Sequence, residues 1–149
     1  MTVANLAIVG IKQFDDYEHF ERILLKYLAQ LETDGVTVQE LITIQNAGIN
    51  EMVAVFCEKH HKPLRLLTVD WDRLGKSAYF DTNGVLVERA THVLGFWDRV
   101  DSFTGDAIDR GLRLRRAVKF FKVTPTENAY RKKKEITSEQ TSVCETVPQ

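Results

Sequence analysis

Apolar residues along this chain follow two rhythms, short unbroken runs and longer stretches spaced by three and four. Asn5-Leu-Ala-Ile-Val-Gly10 is a run of the first kind and reads as a parallel strand buried on both faces. In the next stretch Tyr17, Phe20, Ile23, Leu24, Tyr27, Leu28 and Leu31 make one helical stripe, which Asp34-Gly35 ends. Asp15 with Glu18 three residues on predicts a capping box at its start. Glu40 to Gln45 predicts a second strand, running into the turn Asn46-Ala-Gly-Ile-Asn50. Met52, Val53, Val55, Phe56 and Cys57 suit a second helix that stops near His60-His61, before Pro63. A third strand is expected over Pro63 to Val69, followed by a polar loop from Asp70 to Ser77. The stretch Ala78 to Arg89 predicts a helix with Val85, Leu86 and Ala90 inward. Thr91 to Phe96 reads as a strand, Asp106 to Leu112 as a helix, and Ala117 to Val123 as a fifth strand.

Strand and helix thus alternate five times, with connections long enough for right-handed parallel crossovers. The expected fold class is α/β, a Rossmann-like doubly wound, mostly parallel five-stranded sheet with helices on both faces. This accounts for residues 1–123 as one domain. From Thr124 large apolar residues nearly vanish, so 124–149 is expected to be a disordered polar tail. Its Arg131 to Lys134 run is balanced by four acidic residues between Glu127 and Glu145, which favours a solvated charge run.

Composition narrows the function classes. With 44% apolar and 28% charged residues the chain has an ordinary globular balance. A net charge of −1 argues against a dominant nucleic-acid or membrane-surface role. No apolar run reaches the length of a membrane span, and Met1 to Gly10 lacks the marks of a secretory signal. Two cysteines, Cys57 and Cys144, do not make a disulfide framework, so a reducing cytoplasm is the expected compartment.

In an open parallel sheet, ligands bind outside the carboxyl ends of the strands. That rule singles out the loops starting at Gly10, Asn46, Asp70, Trp97 and Thr124. Gly10 and Lys12 offer backbone donors and a cation. Asn46, Gly48 and Asn50 offer amides at a helix start, where an anion is favoured. Trp71 and Lys76 in one loop, and Trp97, Asp98, Ser102 and Thr104 in another, offer rings, charge and hydroxyls. Each has a plainer reading as well: glycines make turns, tryptophans pack, and Asp16, Asp70 and Asp106 can cap helices. His92 in a strand reads as a core histidine, and His60-His61 as surface residues. No metal-ligand spacing, Ser-His-Asp order, Walker loop or full GxGxxG is present, so no metal or cofactor is expected.

Three stretches carry a resemblance. They are Ala7-Ile-Val-Gly-Ile-Lys-Gln-Phe-Asp-Asp-Tyr17, Asp70-Trp-Asp-Arg-Leu-Gly-Lys-Ser-Ala78 followed by Asn83, and Phe96-Trp-Asp-Arg-Val-Asp-Ser-Phe-Thr104 with Asp106 and Ile108. In order and spacing they resemble the SLOG superfamily, the Rossmann-like group of LOG enzymes and DprA-type domains, with its YspA/YpsA-related branch nearest. The resemblance implies a nucleotide-derived ligand, homo-oligomerisation, and a bacterial or phage setting in which a nucleotide immune signal is sequestered. It implies that Lys12 and amides around Gly48 hold phosphate, that Trp71 or Trp97 borders the base, and that Asn83, Asp98 and Thr104 fix ribose or base edges. A second expectation is a nucleotide N-glycosidase or hydrolase in which Asp98, Asp101 or Asp106 assists a water. A third is a protein-interaction module with a decayed nucleotide site. Ile11, Arg99 and Phe103 depart from the family's small residues, and the LOG glutamate is missing from its place. A changed ligand, or binding without turnover, is what these departures imply.

Overall fold

The computed structural model describes residues 2–46, 48–70, 72 and 75–125. Its elements run β1 (Thr2–Gly10), α1 (Tyr17–Thr33), β2 (Val36–Ile44), α2 (Ile49–Lys59), β3 (Leu64–Leu67), a 3-10 turn (Gly75–Ser77), α3 (Ala78–Arg89), β4 (His92–Trp97), α4 (Ser102–Arg113) and β5 (Ala117–Lys122). The sheet order is β3-β2-β1-β4-β5, and every neighbouring pair is parallel. The expected doubly wound α/β architecture is present, with a wholly parallel sheet.

The side-chain period of a strand explains the two layers. In β1, Leu6 and Ile8 face the layer formed by α1 and α2, where they meet Phe20, Leu24, Val53 and Phe56. Ala7 and Val9 face the opposite layer, with Tyr79, Leu86 and Val87 of α3 and Ala107 of α4. The central strand is buried on both faces, which is why its sequence is an unbroken apolar run. Phe20 anchors the first layer, 4.9 Å from the Phe96 ring and edge-on to Phe56.

Several boundaries differ from expectation for local reasons. Asp16, not Asp15, caps α1, its Oδ1 accepting from the His19 amide at 3.1 Å; Glu18 then falls one position short of a capping box. α4 starts at Ser102, four residues earlier than its apolar pattern suggests, because Asp101 caps it. Val85 was expected inward, yet it is 42% exposed, while Leu86 and Ala90 are buried. β3 is a short edge strand of four residues. His92 is half-buried and its ring nitrogen lies 2.8 Å from the Thr91 hydroxyl. Of the tail, only Thr124 and Pro125 are described; 126–149, with Arg131 to Lys134 and Cys144, lies outside the described residues. Cys57 is buried in α2, and burial pushes its thiol up to about 11, which leaves it unreactive. No helix among the described residues is long and apolar enough to cross a membrane.

Candidate functional site

A cleft opens at the carboxyl ends of β1 and β2, beside the point where the strand order reverses between β1 and β4. β1 contributes Val9 and Gly10, with Lys12 just beyond, and β2 contributes Ile44, with Asn46 after it. α2 supplies Asn50 and α3 supplies Tyr79 and Asn83. Asp101, Phe103 and Thr104 come from the start of α4. Counted out to its open mouth, solvent included, the cleft holds about 290 Å³.

The floor is a network of neutral polar groups. Asn46 Nδ2 and Asn50 Nδ2 both donate to the Tyr79 hydroxyl, the second at 3.2 Å. Burial raises the Tyr79 phenol above its ordinary range and the charge of Asp101 adds to this, against the lowering effect of the two amides. The hydroxyl therefore stays protonated at neutral pH. Asn50 is only 3% exposed, yet its Oδ1 has no hydrogen-bond partner. It is the one buried side-chain polar atom left unsatisfied among the described residues. Leaving such an atom unpaired costs about 1–3 kcal/mol, a cost that a bound ligand or water removes.

At the starts of α2 and α4 the chain's own oxygens already meet a helix amide. Gly48 caps α2 with φ 72°, and the Ile49 amide donates to the Ile11 carbonyl at 3.1 Å. A side chain at position 48 would run into the Ile11 and Lys12 carbonyls. The β1–α1 loop thus packs its own oxygens where an anion was expected. At α4, Asp101 Oδ2 accepts from the Thr104 amide at 2.9 Å and from its hydroxyl at 2.6 Å. A carboxylate already sits at that positive helix end.

The remaining candidates separate by geometry. Asp98 Oδ1 accepts from the Val100 and Asp101 amides at 2.9 and 2.8 Å, holding a turn around Arg99. Arg99 keeps the left-handed conformation of a glycine, φ 69°, with its guanidinium 5.5 Å over the Phe120 ring. Asp106 Oδ2 accepts from Arg110 Nε at 2.8 Å and from Asn83 Nδ2 at 3.2 Å. Of the three carboxylates considered for catalysis, only Asp101 lines the cleft. Trp97 lies off it, donating from its indole to the Asp101 carbonyl at 2.9 Å and packing edge-on to Phe120. Ser102 is exposed at the first position of α4. Trp71 and the Lys76 side chain lie outside the described residues.

Sequence reasoning missed Tyr79 and placed Phe103 only as an obstruction. Phe103 stacks on Tyr79 at 4.6 Å and meets Phe80 at 4.7 Å, with Lys12 Nζ 5.9 Å from its ring. Tyr79 sits one residue after the Ser77-Ala78 helix start, and the signal for it was an aromatic pair, Tyr79-Phe80, at the first turn of a helix beside a strand-end loop. No protein-family model matches the chain, and no curated protein matches it.

Proposed function

We propose that this protein binds a small nucleotide-derived molecule in the cleft at the carboxyl ends of β1 and β2, and holds it without turnover. The observation that carries the reading is the buried, unpartnered Asn50 Oδ1 at the floor of a cleft beside the switch point of the sheet. Two of the three stretches that resemble the SLOG superfamily supply Asn83, Asp101, Phe103 and Thr104 to the lining of this cleft, Phe103 standing where the family has a small residue. Sequestration or sensing fits a site with hydrogen-bonding capacity whose candidate carboxylates are held in contacts within the chain. Asp98 and Asp106 are engaged in a turn and an ion pair, and Asp101 is engaged at the start of α4.

The test is a mass spectrum of small molecules released by denaturing the purified full chain, paired with thermal melts against a panel of nucleotides. A nucleotide-mass species near one per chain is expected. A panel member at a hundredfold excess over its dissociation constant adds about 2.7 kcal/mol, a rise of roughly 5–10 °C in melting temperature. If nothing is released and no nucleotide moves the melt, the reading fails. Release of free base on long incubation would establish turnover instead.

A further inference from the structure

We propose that residues 126–136 of this chain dock as a last helix on the face of β5 that α1 and α2 leave open. The proposal is independent of the reading of the cleft.

A wholly parallel sheet is normally covered on both faces. On the side of α3 and α4 the cover reaches the edge. There α4 lies on β4 and β5, so close that a Cβ at Gly111 would stand 2.9 Å from Val118 Cγ2. On the other side, α1 and α2 lie over β1 and β2 and reach β4 where the Phe20 ring meets Phe96. Among the described residues their cover stops there. Phe121 belongs to the α1–α2 layer, so the period of the strand puts Ala117 and Lys119 on the same face of β5. Ala117 and Lys119 are exposed. Phe121 is half-buried, 6.2 Å from the Phe96 ring and with the Lys119 ammonium 5.2 Å from its own. On α1, Glu21 turns toward α2 to meet Lys59 and His60, which leaves Ile23, half-buried, on the flank away from α2. The result is a shallow apolar trough between α1 and the edge strand.

The chain itself leads into this trough. Just past β5 the Val123 amide donates to the Trp97 carbonyl at 2.9 Å, and Val123 is buried in the α1–α2 layer. Pro125 is half-buried, and 126–149 follow outside the described residues. Most of that tail is polar, but its beginning carries the marks of a helix start: Thr124, then Pro125, then Glu127 three residues after Thr124. In a helix, Ala129 and Ile136 share one stripe, with the aliphatic stem of Lys133 between them. Residues 126–136 span about 17 Å as a helix, against about 20 Å for the six residues of β5. A helix laid antiparallel on β5 therefore matches the face in length and starts where the chain leaves it. A second copy of the chain would have to compete with a segment tethered at the rim, whose effective concentration is on the order of millimolar.

The experiment is NMR on the isotope-labelled full chain. Backbone order parameters of about 0.85 are expected over 126–136. Overhauser contacts are expected from the Ala129 and Ile136 methyls to the Phe121 ring or the Ala117 methyl. Ile136→Asp, a change outside the sheet and its layers, should remove those contacts and drop the order parameters of the segment below about 0.6. Values below about 0.6 in the native segment, or an ordered segment without contact to β5, overturn the proposal. A mixture of labelled and unlabelled chains separates the copies. Contacts that pass between chains mean that a second copy covers the face, and they overturn the proposal as well.

Discussion

Two polar clusters in this molecule invite comparison, one on the outer surface of α1 and α2 and one at the strand-end cleft. On the surface, Glu21 Oε2 collects Lys59 Nζ at 2.8 Å, His60 Nε2 at 2.8 Å and the Tyr17 hydroxyl at 3.2 Å. These hydrogen bonds, from Lys59 first and His60 next, pull the Glu21 carboxyl down to about 2, while burial and then Glu21 push the Tyr17 phenol up to about 12. Among the described residues these are large shifts. Yet the carboxylate there is met by three donors, and the cluster's geometry is that of a clamp between two helices. At the cleft the Asn46, Asn50 and Tyr79 network is neutral, and one buried oxygen is left over. The difference teaches that a shifted pKa marks strong interaction within the chain, whereas an unmet buried hydrogen-bonding atom marks a place with capacity for a water or a ligand.

The largest expected effect breaks the frame of the cleft. Gly48→Ala places a Cβ against two carbonyls at a left-handed residue, and should cost about 3 kcal/mol or more in chemical denaturation. A loss below about 1 kcal/mol would mean that the β1–α1 loop is free to move away, and the internal neutralisation of α2 would not hold.

Next comes the contrast itself. Asn50→Leu removes the leftover oxygen along with one hydrogen bond, and should leave stability within about 1 kcal/mol of the native chain while weakening nucleotide binding tenfold or more. Glu21→Gln should do the reverse, leaving binding unchanged and lowering the melting temperature. The pH dependence follows from the sign of the shift. A carboxyl held at about 2 against an ordinary 4.5 contributes stability that is present above 4.5 and is lost as pH falls toward 2. Melts of the native chain and Glu21→Gln should therefore converge as pH is lowered through that window, and raised salt should narrow their gap at neutral pH. If Glu21→Gln abolished binding, the division between clamp and site would collapse.

The smallest effect sharpens the reading of the β4–α4 loop. Arg99→Gly relieves a left-handed non-glycine residue and gives up a ring contact, for a net gain of about 0.5–1 kcal/mol measured by denaturation. The turn is held by Asp98 and should keep its shape.

Much of the architecture was legible because the strands carry it. The unbroken run Leu6 to Val9, closed by Gly10, reads as a strand covered on both faces, and the alternation of five such elements leaves few topologies. Boundaries slipped where a cap decides them: Asp16 and Asp101 are indistinguishable from their neighbours until the chain turns. For the candidate site, the strand-end rule named Gly10, Lys12, Asn46, Asn50 and Thr104 and the resemblance named Asn83, and these six line the cleft. Gly48, Trp97 and Asp98 follow the same rule, yet backbone packing and turn geometry turn them to other tasks. Tyr79 was hidden because its role depends on two asparagines from a different strand loop, a relation with no trace in local pattern.

The central claim is that the leftover oxygen of Asn50 marks the ligand site. The most direct measurement compares small molecules released from the full native chain and from Asn50→Leu, prepared side by side at equal melting temperature. The account predicts a nucleotide-mass species from the native chain, reduced at least tenfold in the variant. The same species at the same yield from both chains, or none from the native chain, would contradict it.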